Sequence, residues 1–391
     1  MFKLSCRPWL RGATAAAVGI AVLALTPTFA LADAAGEASQ PIWLRWDFSL
    51  DLVIPTVLAL VLYWRGLEKR PAAFDEAPLR HLSFLGGVFL TFASLASPID
   101  AMADHLFSMH QVQHMLLRVV GPMLIAYAQP QATLVAGSPS WLRRGPVGRT
   151  LASAPSRGLF GFLMRPWLVT TLFVASLYLW EWPPFHDRAI LDEGVHYVMH
   201  ITMLAAGLLF FFRVFDQRPP PKGARYGVRL MMLWIGVLSN IPIGAFTSFK
   251  SRELYPAYDV VGRLFGMSPM SDERLGGFIM WAPASMMMLL AVLLVVHAWG
   301  GHEDKIEARR LASADGRPAT SLPRQNNGAF AISLAAFSIC ILAASLTIAI
   351  IANQAHAERA VGHRRMNVAR SSSAQTPIVR YEAHAQDHGS M

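Results

Sequence analysis

The chain has 391 residues, of which 54% are hydrophobic and only 15% charged, against about 25% charged in an ordinary soluble domain. Its formal charge of +9 would suit a nucleic-acid binder. The basic residues instead occupy alternate loops between apolar blocks, an orientation signal that argues against a nucleic-acid partner. Cys6 and Cys340 are the only cysteines, which disfavours a disulfide framework, a thiolate zinc site or a CxxC redox centre.

The N-terminus reads as a secretory signal over residues 1–32. Lys3, Arg7 and Arg11 precede an apolar stretch from Ala13 to Leu25, and Ala30-Leu31-Ala32 supplies a small-x-small cleavage pattern. An uncleaved first span is the alternative. In either case the segment from Asp33 to Trp46 lies outside the cytoplasm.

Eight apolar segments follow, at 48–64, 82–97, 107–127, 166–182, 195–214, 228–247, 275–298 and 329–352. A span needs about 20 residues and must be helical, because lipid offers free backbone groups no water. The expected fold is therefore an all-α integral membrane protein. Seven core transmembrane helices fill residues 33–299, a cytoplasmic loop covers 300–327, an eighth span covers 328–352, and a disordered basic tail covers 353–391. The loops assigned to the cytoplasm hold nineteen Lys and Arg, and the outer loops before the last span hold six. That asymmetry places the mature N-terminus outside. Asn240-Ile241-Pro242-Ile243-Gly244 is expected to kink the sixth span near its outer end.

Chemistry concentrates in the third and fifth spans. His110 and His114 are spaced i, i+4, as are His196 and His200, so each pair occupies one helix face. Both helices run from outside to inside, which sets the pairs at similar depth and lets them converge on one metal. Imidazole suits copper, zinc and iron, and a thioether such as Met203, one heptad after His196, adds selectivity for Cu(I). His105 and His186 lie in the adjoining outer loops and are placed to feed or complete the site. Glu181, between Trp180 and Trp182, is a carboxylate neighbour. Arg118, one turn below His114, is expected to pair with an acid or a bound anionic group. Interhelical hydrogen bonding by the histidines is the bland alternative. A haem site with the same residues as axial ligands and a copper transporter are two further readings, the last weakened by the apolar inner halves of these spans.

Ser97-Pro98-Ile99-Asp100, then His110-Gln111-Val112-Gln113-His114-Met115-Leu116-Leu117, Gly121-Pro122 and Pro130 resemble the polytopic CtaG-like cytochrome c oxidase assembly family. So do Trp180, Pro183, Asp187 and Ala189, His196 to His200, and Asp272 with Gly276-Gly277-Phe278-Ile279-Met280-Trp281. The resemblance covers about Asp47 to Trp299. Two departures stand out: Glu181 where the family commonly has His, and Met199 where it often has Glu. The resemblance implies a non-enzymatic factor in the bacterial inner membrane that supplies copper to a haem–copper oxidase. Its partners would be the oxidase subunit carrying the copper centre, a periplasmic copper donor and membrane lipid.

Overall fold

The computed structural model describes residues 41–70, 78–218 and 223–314. The signal at 1–32, the eighth span at 328–352 and the tail at 353–391 lie outside the described residues. Every regular element among the described residues is helical. They are α1 (Leu50–Lys69), α2 (Pro78–Ala96), α3 (Pro98–Ala103), α4 (Phe107–Met115), α5 (Gly121–Ala128), α6 (Gln131–Gly137), α7 (Ala154–Leu163), α8 (Pro166–Glu181), α9 (Pro183–Leu191), α10 (Glu193–Val214), α11 (Tyr226–Phe249), α12 (Ala257–Val261) and α13 (Pro269–Ala314). Short helices at Ser140–Arg144 and Pro146–Leu151 and single turns complete the list.

Five of these, α1, α2, α10, α11 and α13, are long and apolar enough to cross a membrane. The pair α7 and α8, bent by 60° at their junction, makes up to six. The chain is a multi-pass membrane protein. Proline punctuation explains why α8 stops at 16 residues. Pro166 opens it at a position where the missing N–H costs nothing, and Pro183 drives the preceding Trp182 out of helical geometry, to φ −68°, ψ 120°.

The third apolar segment is helical from Phe107 to Ala128, but its register changes midway. Leu116–Val120 forms a π turn in which the Gly121 amide bonds to the Leu116 carbonyl. Pro122 explains the change: it has no N–H to give to the carbonyl four residues back, and its ring would press on that carbonyl in an unbroken α-helix. A single π turn inside a helix absorbs both problems. The freed space is used. Gly207 of α10 approaches the Arg118 carbonyl so closely that a Cβ there would overlap it.

Pro242, expected to kink the sixth span, lies within one helix, α11, that continues from Tyr226 to Phe249. The seventh is longer than its apolar block. α13 runs 46 residues, into the segment read as loop from residue 300. The extension is rich in Glu, Lys, Arg, Leu and Ala, all strong helix formers, and the first proline beyond it is Pro318.

Of the packing regions in the bundle, two set the frame of the site. One is apolar, built on Val119, Met123, Phe173, Phe210, Phe211, Leu233 and Met288. At the other end, Phe107, Leu177, Tyr255, Tyr258 and Met280 pack beneath the connecting segments, and there the histidines gather.

Candidate metal centre

The start of α4 is clamped to α13. Asp272, in the first turn of α13, accepts the amides of Phe107 and Ser108 at 2.9 Å each, one on each carboxylate oxygen. Two of the otherwise free donors of the α4 N-terminus are thus satisfied. Arg263 donates to the same buried carboxylate at 2.6 Å. The ring of Phe107 lies where a Cβ on Gly276 would sit, so the two helices meet at van der Waals contact.

This clamp fixes His110 and His114 on α4, facing α10. Asp192 caps α10 through the Val195 amide at 3.2 Å, and the helix presents His196 and His200. Ring centroids are 4.3 Å apart for His110–His114, 4.3 Å for His196–His200, 5.1 Å for His110–His196, and 5.9 Å for both His110–His200 and His114–His200. His110, His114 and His200 each offer a ring nitrogen lying within 4.8 Å of the other two, and all three residues are buried.

The hydrogen bonding of these rings is informative. Nδ1 of His110 lies 3.3 Å from the Ala103 carbonyl, which can only accept, so Nδ1 carries the proton and Nε2 presents a lone pair. That Nε2, both nitrogens of His114, and Nε2 of His196 and of His200 are buried without a hydrogen-bond partner. An unpaired buried polar atom costs about 1–3 kcal/mol. Several of them, converging from two helices, fit a bound cation better than interhelical hydrogen bonding, which would have paired them.

Glu181, the last residue of α8, places Oε1 3.5 Å from Nδ1 of His114. Its other oxygen accepts Gln111 Nε2 at 3.2 Å, and its carbonyl accepts the Tyr255 hydroxyl at 2.9 Å. A carboxylate behind an imidazole orients the ring and raises its basicity as a ligand. His186, in α9, is fully engaged. Its Nδ1 donates to the Trp180 carbonyl at 3.0 Å and its Nε2 accepts the Tyr258 hydroxyl at 2.9 Å. Burial, joined by His114 and His196 and opposed by Glu181, holds it down at about 4. With both nitrogens used, His186 supports His110, 5.0 Å away between centroids, and keeps no lone pair for a metal.

The remaining sequence candidates fall at the edges. Met203 is fully buried and packs with Trp180, Ala189 and Met199. His105 is outside the three-donor group, with Nδ1 2.9 Å from the Gly262 carbonyl. Arg118 feels the acid Glu181 by charge but makes its direct contacts with neutral groups: Nη2 donates to the Phe173 carbonyl at 2.7 Å and the guanidinium stacks 3.7 Å above the Phe173 ring. Sequence reading assigned no role to Asp104, Arg263 or Tyr258, and Gln111 entered only as a member of the histidine motif. Asp272 entered only through the resemblance, because nothing local ties it to a helix start 165 residues away.

Among curated proteins, the chain is similar to uncharacterised proteins of Mycobacterium bovis and Mycobacterium tuberculosis. Each is 25% identical over 274 residues, covering 69% of this chain and 42% of the relative. A Mycobacterium leprae protein is 24% identical over 278 residues, with the same coverage. The chain thus spans 42% of the length of these relatives. No solved structure matches it. The model of the cytochrome c oxidase caa3 assembly factor family (Caa3_CtaG) matches residues 59–301, which include the Asp272 clamp and all four histidines of the two pairs, and the chain belongs to that family.

Proposed function

We propose that the protein is a non-enzymatic assembly factor that holds copper as cargo between α4 and α10 and delivers it to the copper-carrying subunit of a haem–copper oxidase. The observation that carries this reading is the trio of buried ring nitrogens from His110, His114 and His200 within 4.8 Å of one another. Imidazoles suit copper in either common oxidation state. Three neutral donors hold Cu(I) without trapping it, since an incoming ligand from the target can displace them one at a time. Gln111 and Glu181 keep His114 aimed, and His186 buttresses His110.

The membrane setting belongs to the same proposal. Counting the helical run 107–128 and α8 as spans gives seven in the core, with the histidines toward the outer face of a bacterial inner membrane and a signal removed ahead of Asp33. A periplasmic donor would then load the site from the side on which oxidase copper is inserted.

Copper content and visible absorbance of the purified protein, beside a His110/His114/His200→Ala variant, test the reading. About one copper per chain, lost in the variant, is expected for one three-imidazole group. A Soret band without copper would replace copper by haem. Neither signal would return the histidines to a packing role.

A further inference from the structure

The three-donor group is sealed: His110 is 0% exposed, His114 3% and His200 9%. An ion therefore needs a way in, and one ring connects the group to the surface. The side chain of His196 is 15% exposed and that of Asp104 is 53% exposed, with Nδ1 and Oδ1 3.7 Å apart. On its far side the His196 ring stacks on His110, 5.1 Å between centroids at 25°, and lies 4.3 Å from the His200 ring. Its Nε2 is buried and has no hydrogen-bond partner. Glu193, in the first turn of the same helix, adds a second acid near this edge.

We propose that Asp104 and His196 form a receiving pair that captures Cu(I) at the rim and passes it inward to His110, His114 and His200. The proposal rests on the copper reading above and adds an order of events to it. Asp104 draws the cation by charge and faces Nδ1 of His196, which leaves Nε2 as the donor atom, the usual arrangement of a carboxylate behind a ligand histidine. Cu(I) bound to that Nε2 already lies beside the rings of His110 and His200. Transfer makes bonds to the buried nitrogens as the bond to His196 breaks. The metal keeps its oxidation state, and the proton on Nδ1 of His110 stays in place.

The test is the loading time course of the full-length protein in lipid nanodiscs. Cu(I) is supplied as a complex with a chromophoric chelator, and both the rate and the end point of chelator bleaching are read. His196→Ala should slow loading by about tenfold or more while the end point stays unchanged, because local capture and steering raise on-rates by 10–1,000-fold. Asp104→Asn should slow it less, with the difference from wild type shrinking as salt screens the carboxylate. Thermal unfolding identifies a variant that fails to fold, and His196→Gln then takes the place of His196→Ala. Unchanged rates in both variants would overturn the proposal, as would a lower end point for His196→Ala, which would make His196 a resident ligand. A wild-type protein that takes up no copper would remove the copper reading and the receiving pair together.

Discussion

The two halves of this bundle solve opposite problems. Around Phe173, Phe210, Phe211, Leu233 and Met288 the packing is apolar apart from the Arg118 guanidinium stacked on Phe173, and stability there follows mainly from shape. Around His110, many buried groups are polar, and several are fully engaged: Asp272 by two amides and Arg263, His186 by Trp180 and Tyr258, and the Gln113 amide nitrogen by the Ser94 carbonyl and Asp100. Against that thoroughness, the free nitrogens of His110, His114, His196 and His200 stand out. Five unpartnered ring nitrogens gathered from two helices, with the unpartnered Oε1 of Glu181 beside them, point to an occupant that packing does not supply.

The sharpest way to break the comparison is at the clamp. Asp272→Ala leaves Arg263 without its closest buried partner and uncaps α4, and should cost about 3–5 kcal/mol along with copper binding. Asp272→Asn, which can still accept one amide, should lose less. Copper binding that survives Asp272→Ala at full stoichiometry would separate the clamp from the site. In the apolar half, Phe210→Ala should cost about 3 kcal/mol through the cavity it leaves. Copper stoichiometry should stay at the wild-type value in the protein that remains folded.

His200→Leu should do the reverse. It removes a polar group with an unpaired buried nitrogen, so the melting temperature of the metal-free protein should move by no more than about 1 kcal/mol equivalent, while copper binding is lost. A large destabilisation of the metal-free protein would show that the histidine is structural.

The smallest effect concerns acidity at the rim of the polar half. Burial first, then Asp104, pushes the Asp100 carboxyl up to about 7. In the folded state it binds its proton over a range, from about 7 down to the ordinary carboxylate range near 4, in which the unfolded chain stays ionised. Wild type should therefore gain stability relative to Asp100→Asn as pH falls through that window. A pH-independent difference in melting temperature would contradict this.

Hydropathy made the helices legible because lipid imposes it on every residue facing outward. It placed α1, α2, α8, α10 and α11 within a few residues. It also made the paired histidines visible, since an i, i+4 spacing survives any rotation of the helix. Three features were closed to it. The bonding state of His186 depends on Tyr258, 72 residues away. Arg118 found a backbone carbonyl and an aromatic face, which no charge pattern announces. The polar run after Trp299 looked like loop because it is not apolar, although its composition favours helix.

The π turn at Leu116–Val120 has a consequence best expressed as angular phase. Each residue advances a helix by about 100°, and a wide turn holds one residue more than its neighbours. The inner part of this helix is therefore set back by nearly a third of a rotation against the outer part. That offset lets His110 and His114 look at α10 while Val119 and Met123, which an unbroken helix would turn aside, look into the apolar core. Deleting one residue between Leu116 and Val120 would give a straighter helix and a mistimed one, able to seat its histidines or its core residues but never both.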